Sequence, residues 1–111
     1  MQVFFRSKKL QKICSSAKEI QKAFGAARAR KLQQRLLELS AAENLSQISR
    51  LPPSRCHEMT GDRQDQLSVD LDHPYRLFFI PANAPVPRKE DGGLDWPAVT
   101  EIEILEIEDP H

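Results

Sequence analysis

Helical spacing in the first half of this 111-residue chain and strand alternation in the second predict the α+β class. Leu10, Ile13, Cys14 and Ala17 recur at three- and four-residue spacing, as do Ala29, Leu32, Leu36 and Leu39. Leu67-Ser68-Val69-Asp70-Leu71 alternates with a period of two, the period of a strand with one buried face. Ile102 and Ile104 alternate with Glu101 and Glu103. The length predicts one domain spanning 1–111, with surface enough to bury one core.

In chain order, Gln2-Val3-Phe4-Phe5 is short and β-prone, a candidate first strand. Ser7 is placed to cap the first helix, its hydroxyl accepting a backbone N–H. Ile20 and Phe24 continue that helix's apolar face, and Gly25 suits a helix stop because it tolerates positive φ. A break there or slightly earlier gives a helical hairpin. The second helix runs from about Arg28 to Ala42. Residues 43–51 read as a short helical turn or ordered loop, ended by Pro52-Pro53, which lack backbone donors.

The segment from Arg55 to Arg76 holds the densest chemistry. Turns at Thr60-Gly61-Asp62 and Asp72-His73-Pro74 bracket the alternating strand, and Leu77-Phe78-Phe79-Ile80 forms the next. Antiparallel pairing of these segments puts His57 and Arg76 on a common surface. A titratable imidazole beside a permanent cation suits chemistry on a phosphodiester. From Pro81 to Asp95 the chain is a loop with three prolines and two glycines, closed by Trp96-Pro97. The last strand is Val99 to Glu108. Its apolar phase slips between Ile104 and Leu105, which predicts a bulge there.

Net charge is zero, yet residues 1–56 carry +9 and residues 57–111 carry −9. Such a division fits either a polyanion partner or halves that neutralise each other in the fold. Arg28, Lys31 and Arg35 make a basic ridge on the second helix, either a solvated face or a rail for phosphates. No apolar run is long enough for a bilayer, and the charged N-terminus does not read as a signal peptide, so a cytoplasmic location is expected. Cys14 and Cys56 are then expected as reduced thiols; neither lies in a CxxC or Cys/His cluster, so no zinc site is expected. Glycine-rich phosphate loops, G-x-S-x-G and HExxH are absent. His73 reads as a turn residue. His57 and His111 gain significance only in company with Arg76 and Asp109.

The pieces VFFRSKKLQK, ARKLQQRLLELSAAENL, RCHEMTGDRQDQLSVDL, HPYRLFFIP, DGGLDW and TEIEILEIEDPH, in that order, resemble the HigB branch of the RelE/ParE superfamily, killer proteins of type II toxin–antitoxin systems. The likeness covers nearly the whole chain. It implies a RelE-like α+β domain with N-terminal helices packed on a small twisted antiparallel sheet. It implies a metal-independent, cofactor-free endoribonuclease that cleaves mRNA in the 70S ribosome. The implied partner is a cognate helix-turn-helix antitoxin, with operator DNA reached only through it. By the same resemblance His57, Arg76, Asp109 and His111 are the catalytic set. One group takes the ribose 2′-OH proton, another protonates the leaving 5′ oxygen, and Arg76 stabilises charge at phosphorus. Arg28, Lys31, Arg35, Arg55 and Arg63 are the expected RNA-binding residues.

Three positions depart from the pattern. Pro110 stands where the ending usually has tyrosine, removing a ring and a backbone donor. Thr60 stands where some members carry lysine, and the isoelectric point is near neutral rather than basic. The alternative expectation is therefore a catalytically weak or inactive homologue that keeps antitoxin binding and operon control. A gyrase-poisoning activity, as in the ParE branch, is disfavoured by the His57 and His111 pair.

Overall fold

The computed structural model describes residues 1–109. Strand β1 (Gln2–Phe5) leads into α1 (Lys8–Ile13), α2 (Ala17–Phe24) and α3 (Ala26–Ala41). Then follow β2 (His57–Glu58), β3 (Leu67–Asp70), β4 (Arg76–Pro81) and β5 (Glu101–Glu108). Ser7 caps α1 by accepting from the Leu10 N–H at 3.1 Å. The first helical stretch is two helices rather than one, because Ser16 starts α2 by accepting from the Glu19 N–H. Gly25 ends α2 at φ 82° and ψ 165°, a conformation open to glycine and little else, and so opens α3 at once.

The five strands form one mixed sheet in the order β1-β5-β4-β3-β2. The β2–β3, β3–β4 and β4–β5 ladders are antiparallel, whereas β1 runs parallel to β5. An all-antiparallel sheet was expected. The three helices are the reason for the difference: they form the long crossover through which a first strand can join a later one in parallel. The bulge falls where the slip in apolar phase predicts it. Phe78 pairs with Glu106 and Phe79 with Ile104, leaving Leu105 as the extra residue of β5.

Ile20, Ala29, Leu32 and Leu39 of the helices meet Leu67, Val69, Leu77, Phe79, Ile102 and Ile104 of the sheet in one buried cluster. Full burial contributes about 1.5–3 kcal/mol for each large apolar side chain. Trp96 joins that cluster, donating its indole N–H to Glu58 at 3.2 Å, which closes the proline-rich loop. The other face of the sheet carries His57, Ser68, Asp70, Arg76, Phe78, Glu106 and Glu108, as the strand pairings require. Alternation predicts Ser68 facing water, but it is fully buried. Residues 59–66 fold across it: Met59 Sδ accepts from the Ser68 hydroxyl, and Arg63 lies 3.7 Å above the Phe78 ring centroid. Among the described residues no helix is long and apolar enough to cross a membrane.

Candidate active site on the sheet face away from the helices

The turn at residues 72–74 closes with the Tyr75 N–H donating to Asp72 O at 2.8 Å. That turn is centred on His73, so Asp70 falls opposite Arg76 across the β3–β4 ladder. His57, paired with Ser68, lies on the same face. Its Nε2 stands 3.4 Å from Arg76 Nη1, and its Nδ1 lies 2.8 Å from Arg55 O. A carbonyl only accepts, so Nδ1 carries a proton, and Nε2 is the ring nitrogen turned toward Arg76. His57 and Arg76 are thus brought together as the sequence predicts.

Asp70 completes the cluster. Its Oδ1 lies 3.5 Å from Arg76 Nε and its Oδ2 3.4 Å from Arg55 Nη1. Oδ1 is buried with no hydrogen-bond partner among the described residues. Sequence reading had placed Asp70 only as a polar position of an alternating strand. Its equal spacing with Arg76 from the turn was the signal that could have found it.

Register also brings the end of β5 to Arg76. Glu108 pairs with Arg76, so half-buried Asp109 lies one residue beyond the position opposite that arginine. His111 lies outside the described residues.

The basic ridge of α3 is not a surface rail, and Arg35 overturns that expectation. It is 1% exposed, donating from Nε to Asp70 O at 2.8 Å and from Nη1 to Glu38 at 3.1 Å. Glu38 also accepts from the Ser54 hydroxyl, and Ser54 O accepts from the Asp70 N–H. Burial of so large a cation is tolerated because carboxylate and carbonyl oxygens replace its water. Arg28 is turned inward as well, donating to Asp72 and lying 3.4 Å from the Tyr75 ring centroid. Lys31 is half-buried beside them. This part of α3 therefore holds the end of β3 and the following turn in place. Arg63, expected to meet RNA, grips Glu106 and Glu108 while stacked on Phe78. Arg55 remains at the rim, its side chain 48% exposed and its backbone at φ 47°.

Three guanidiniums (Arg55, Arg63, Arg76) thus face three carboxylates (Asp70, Glu106, Glu108) around one imidazole. Cys56 is buried beneath, and burial pushes its thiol up to about 12. Cys14 is raised to about 11 for the same reason; both are free thiols with little thiolate at neutral pH. No group of three or more His, Cys, Asp or Glu among the described residues is placed to hold a metal ion. No protein-family model matches the chain, and no curated protein matches it.

Proposed function

We propose that this chain is a RelE-like toxin of the HigB branch that cuts mRNA on the ribosome. The observation carrying this reading is the 3.4 Å approach of His57 Nε2 and Arg76 Nη1 on the sheet face away from the helices. An imidazole nitrogen beside a fixed cation suits 2′-OH attack on the adjacent phosphodiester. His57 Nε2 takes the 2′-OH proton as the 2′ oxygen bonds to phosphorus. Arg76 stabilises the extra negative charge there. The bond to the 5′ oxygen breaks, and the C-terminal pair Asp109 and His111 supplies that oxygen's proton. The products are a 2′,3′-cyclic phosphate and a free 5′ hydroxyl. An internal 2′-OH nucleophile restricts the reaction to RNA. No step uses a metal. A cytoplasmic location, a helix-turn-helix antitoxin and operator binding through that antitoxin belong to the same proposal.

The test is primer extension on mRNA from expressing cells, with growth measured in parallel. New cuts phased with codons should appear, and His57→Ala should remove both the cuts and the growth arrest. Equal arrest by His57→Ala overturns the assignment of the base.

A second reading is favoured by the carboxylates that face each site guanidinium, and by Pro110 in the tail. It is a homologue that binds its antitoxin and controls its operon without cutting RNA. Antitoxin binding with no codon-phased cuts would select it.

A further inference from the structure

A pocket of about 150 Å³ opens between Arg55, Asp70, His73, Tyr75 and Arg76; it shares Arg76 with the His57 contact, but His57 does not line it. Two guanidiniums border it, and the carboxylate between them holds neither closely. Contacts of 3.4 and 3.5 Å exceed the 2.7–2.9 Å usual for a charge-assisted hydrogen bond. A carboxylate committed to either arginine would close on it, and Asp70 Oδ1 would not be left buried without a hydrogen bond among the described residues. Each guanidinium has five N–H donors, and the recorded contacts engage few of them.

Arg55 is also held in an uncommon backbone conformation. Its φ is 47°, its N–H donates to Leu51 O at 3.0 Å, and its carbonyl faces His57 Nδ1 at 2.8 Å. Backbone strain of this kind persists where the surrounding structure fixes it, and it clusters at ligand sites. Beneath Asp70, the buried Arg35–Glu38–Ser54 network fixes both the Asp70 backbone and the residue before Arg55.

We propose that Arg55 and Arg76, held apart by Asp70, form a second oxyanion pocket that takes a phosphate group other than the one beside His57. Asp70 acts as an internal counter-ion that weakens the pocket until phosphate displaces it from both cations. Tetrahedral phosphate spans two guanidiniums better than one flat carboxylate does. The ligand is a phosphate of a nucleic-acid chain or a free phosphate monoester. The inference deepens the nuclease reading by giving its substrate a second anchor, and its test stands apart from cleavage.

The experiment is a ¹H–¹⁵N titration of the full chain with inorganic phosphate, then with a nucleoside 3′-monophosphate and a short single-stranded RNA. Shifts should centre on Arg55, Asp70 and residues 73–76. Arg55→Gln should weaken phosphate by about tenfold, as expected on losing a bidentate anion contact. Arg55→Lys should restore part of it, and Asp70→Asn should tighten it several-fold. Lys89→Gln, in a distant loop, should change nothing. Amide spectra of each variant report whether the fold survives. Stronger binding of RNA than of the monophosphate identifies a chain phosphate; equal binding identifies a monoester site. Parental affinity in Arg55→Gln, or unchanged or weaker affinity in Asp70→Asn, overturns the pocket. Phosphate binding without mRNA cleavage would leave the pocket standing and remove the nuclease.

Discussion

Arg35 shows how much one side chain can mislead. Its spacing from Arg28 and Lys31 reads as a charged stripe, yet its guanidinium is 1% exposed and bonded to Asp70 O and Glu38. Periodicity assigns a residue to a flank of a helix, but not what covers that flank. Arg35→Met keeps most of the volume and removes the guanidinium from Asp70 O and Glu38, which keeps its Ser54 and Gln34 donors. It should lower unfolding free energy by about 1–2 kcal/mol, since Asp70 O loses a charge-assisted donor while Glu38, a third exposed, keeps water and the Ser54 hydroxyl. Urea denaturation with an unchanged m-value checks it. A loss under about 0.5 kcal/mol, typical of surface substitutions, would mean that solvent replaces the guanidinium there. His57 behaves in the opposite way. Its local sequence says little, but the proton on its Nδ1 follows once the Arg55 carbonyl is seen at 2.8 Å.

Among the elements, the strands were legible and their pairing only partly so. β1 runs from Gln2 to Phe5 as its composition predicts, but nothing local to it dictates parallel pairing with β5. The helix break before Ser16 was weakly signalled, since the apolar spacing continues straight through it. The bulge was readable because the apolar phase of β5 slips at a definite residue. Without Leu105 the strand would alternate Ile102, Ile104 and Ile107 inward against Glu103, Glu106 and Glu108 outward, with no interruption. Deleting Leu105 should therefore leave a folded chain with cooperative thermal unfolding, at altered twist. Arg63 would still meet Glu106 and Glu108, since both keep their face. Loss of cooperative unfolding would mean that the sheet depends on the twist the bulge supplies.

Over the whole molecule, the divided charge is partly neutralised and partly displayed. Arg6–Glu103, Arg28–Asp72 and Arg55–Asp70 pair the basic half with the acidic half. Lys8, Lys9, Lys12, Lys18, Lys22 and Arg30 stay exposed on the helices. Internal neutralisation thus accounts for part of the division, and the exposed helical cations are the surface that the polyanion reading requires. A zero net charge gives no net long-range attraction to RNA, so any steering of a polyanion toward the sheet-face site has to come from local clusters such as these helical cations. Reversing Lys18 and Lys22 to Glu should lower affinity for single-stranded RNA and flatten its dependence on salt, with the fold unchanged. Filter binding from 50 to 200 mM salt, the range over which counterion release is strongly felt, measures this. An unchanged slope would place RNA elsewhere.

Sequence alone determined the α+β class, most of the strands, the Ser7 cap, the stop at Gly25, the bulge and the shared surface of His57 and Arg76. Each depends on residues close in the chain or symmetric about a short turn, where backbone geometry leaves few choices. Tertiary structure decided the parallel edge strand, the burial of Ser68 and Arg35, and the placing of Asp70 between two arginines. Those outcomes depend on which distant segment covers a given face, and a pattern of periods cannot encode that. Packing also fixed which cations remain available to a ligand: Arg35 is drawn into a buried pair, while Arg55 stays exposed although paired.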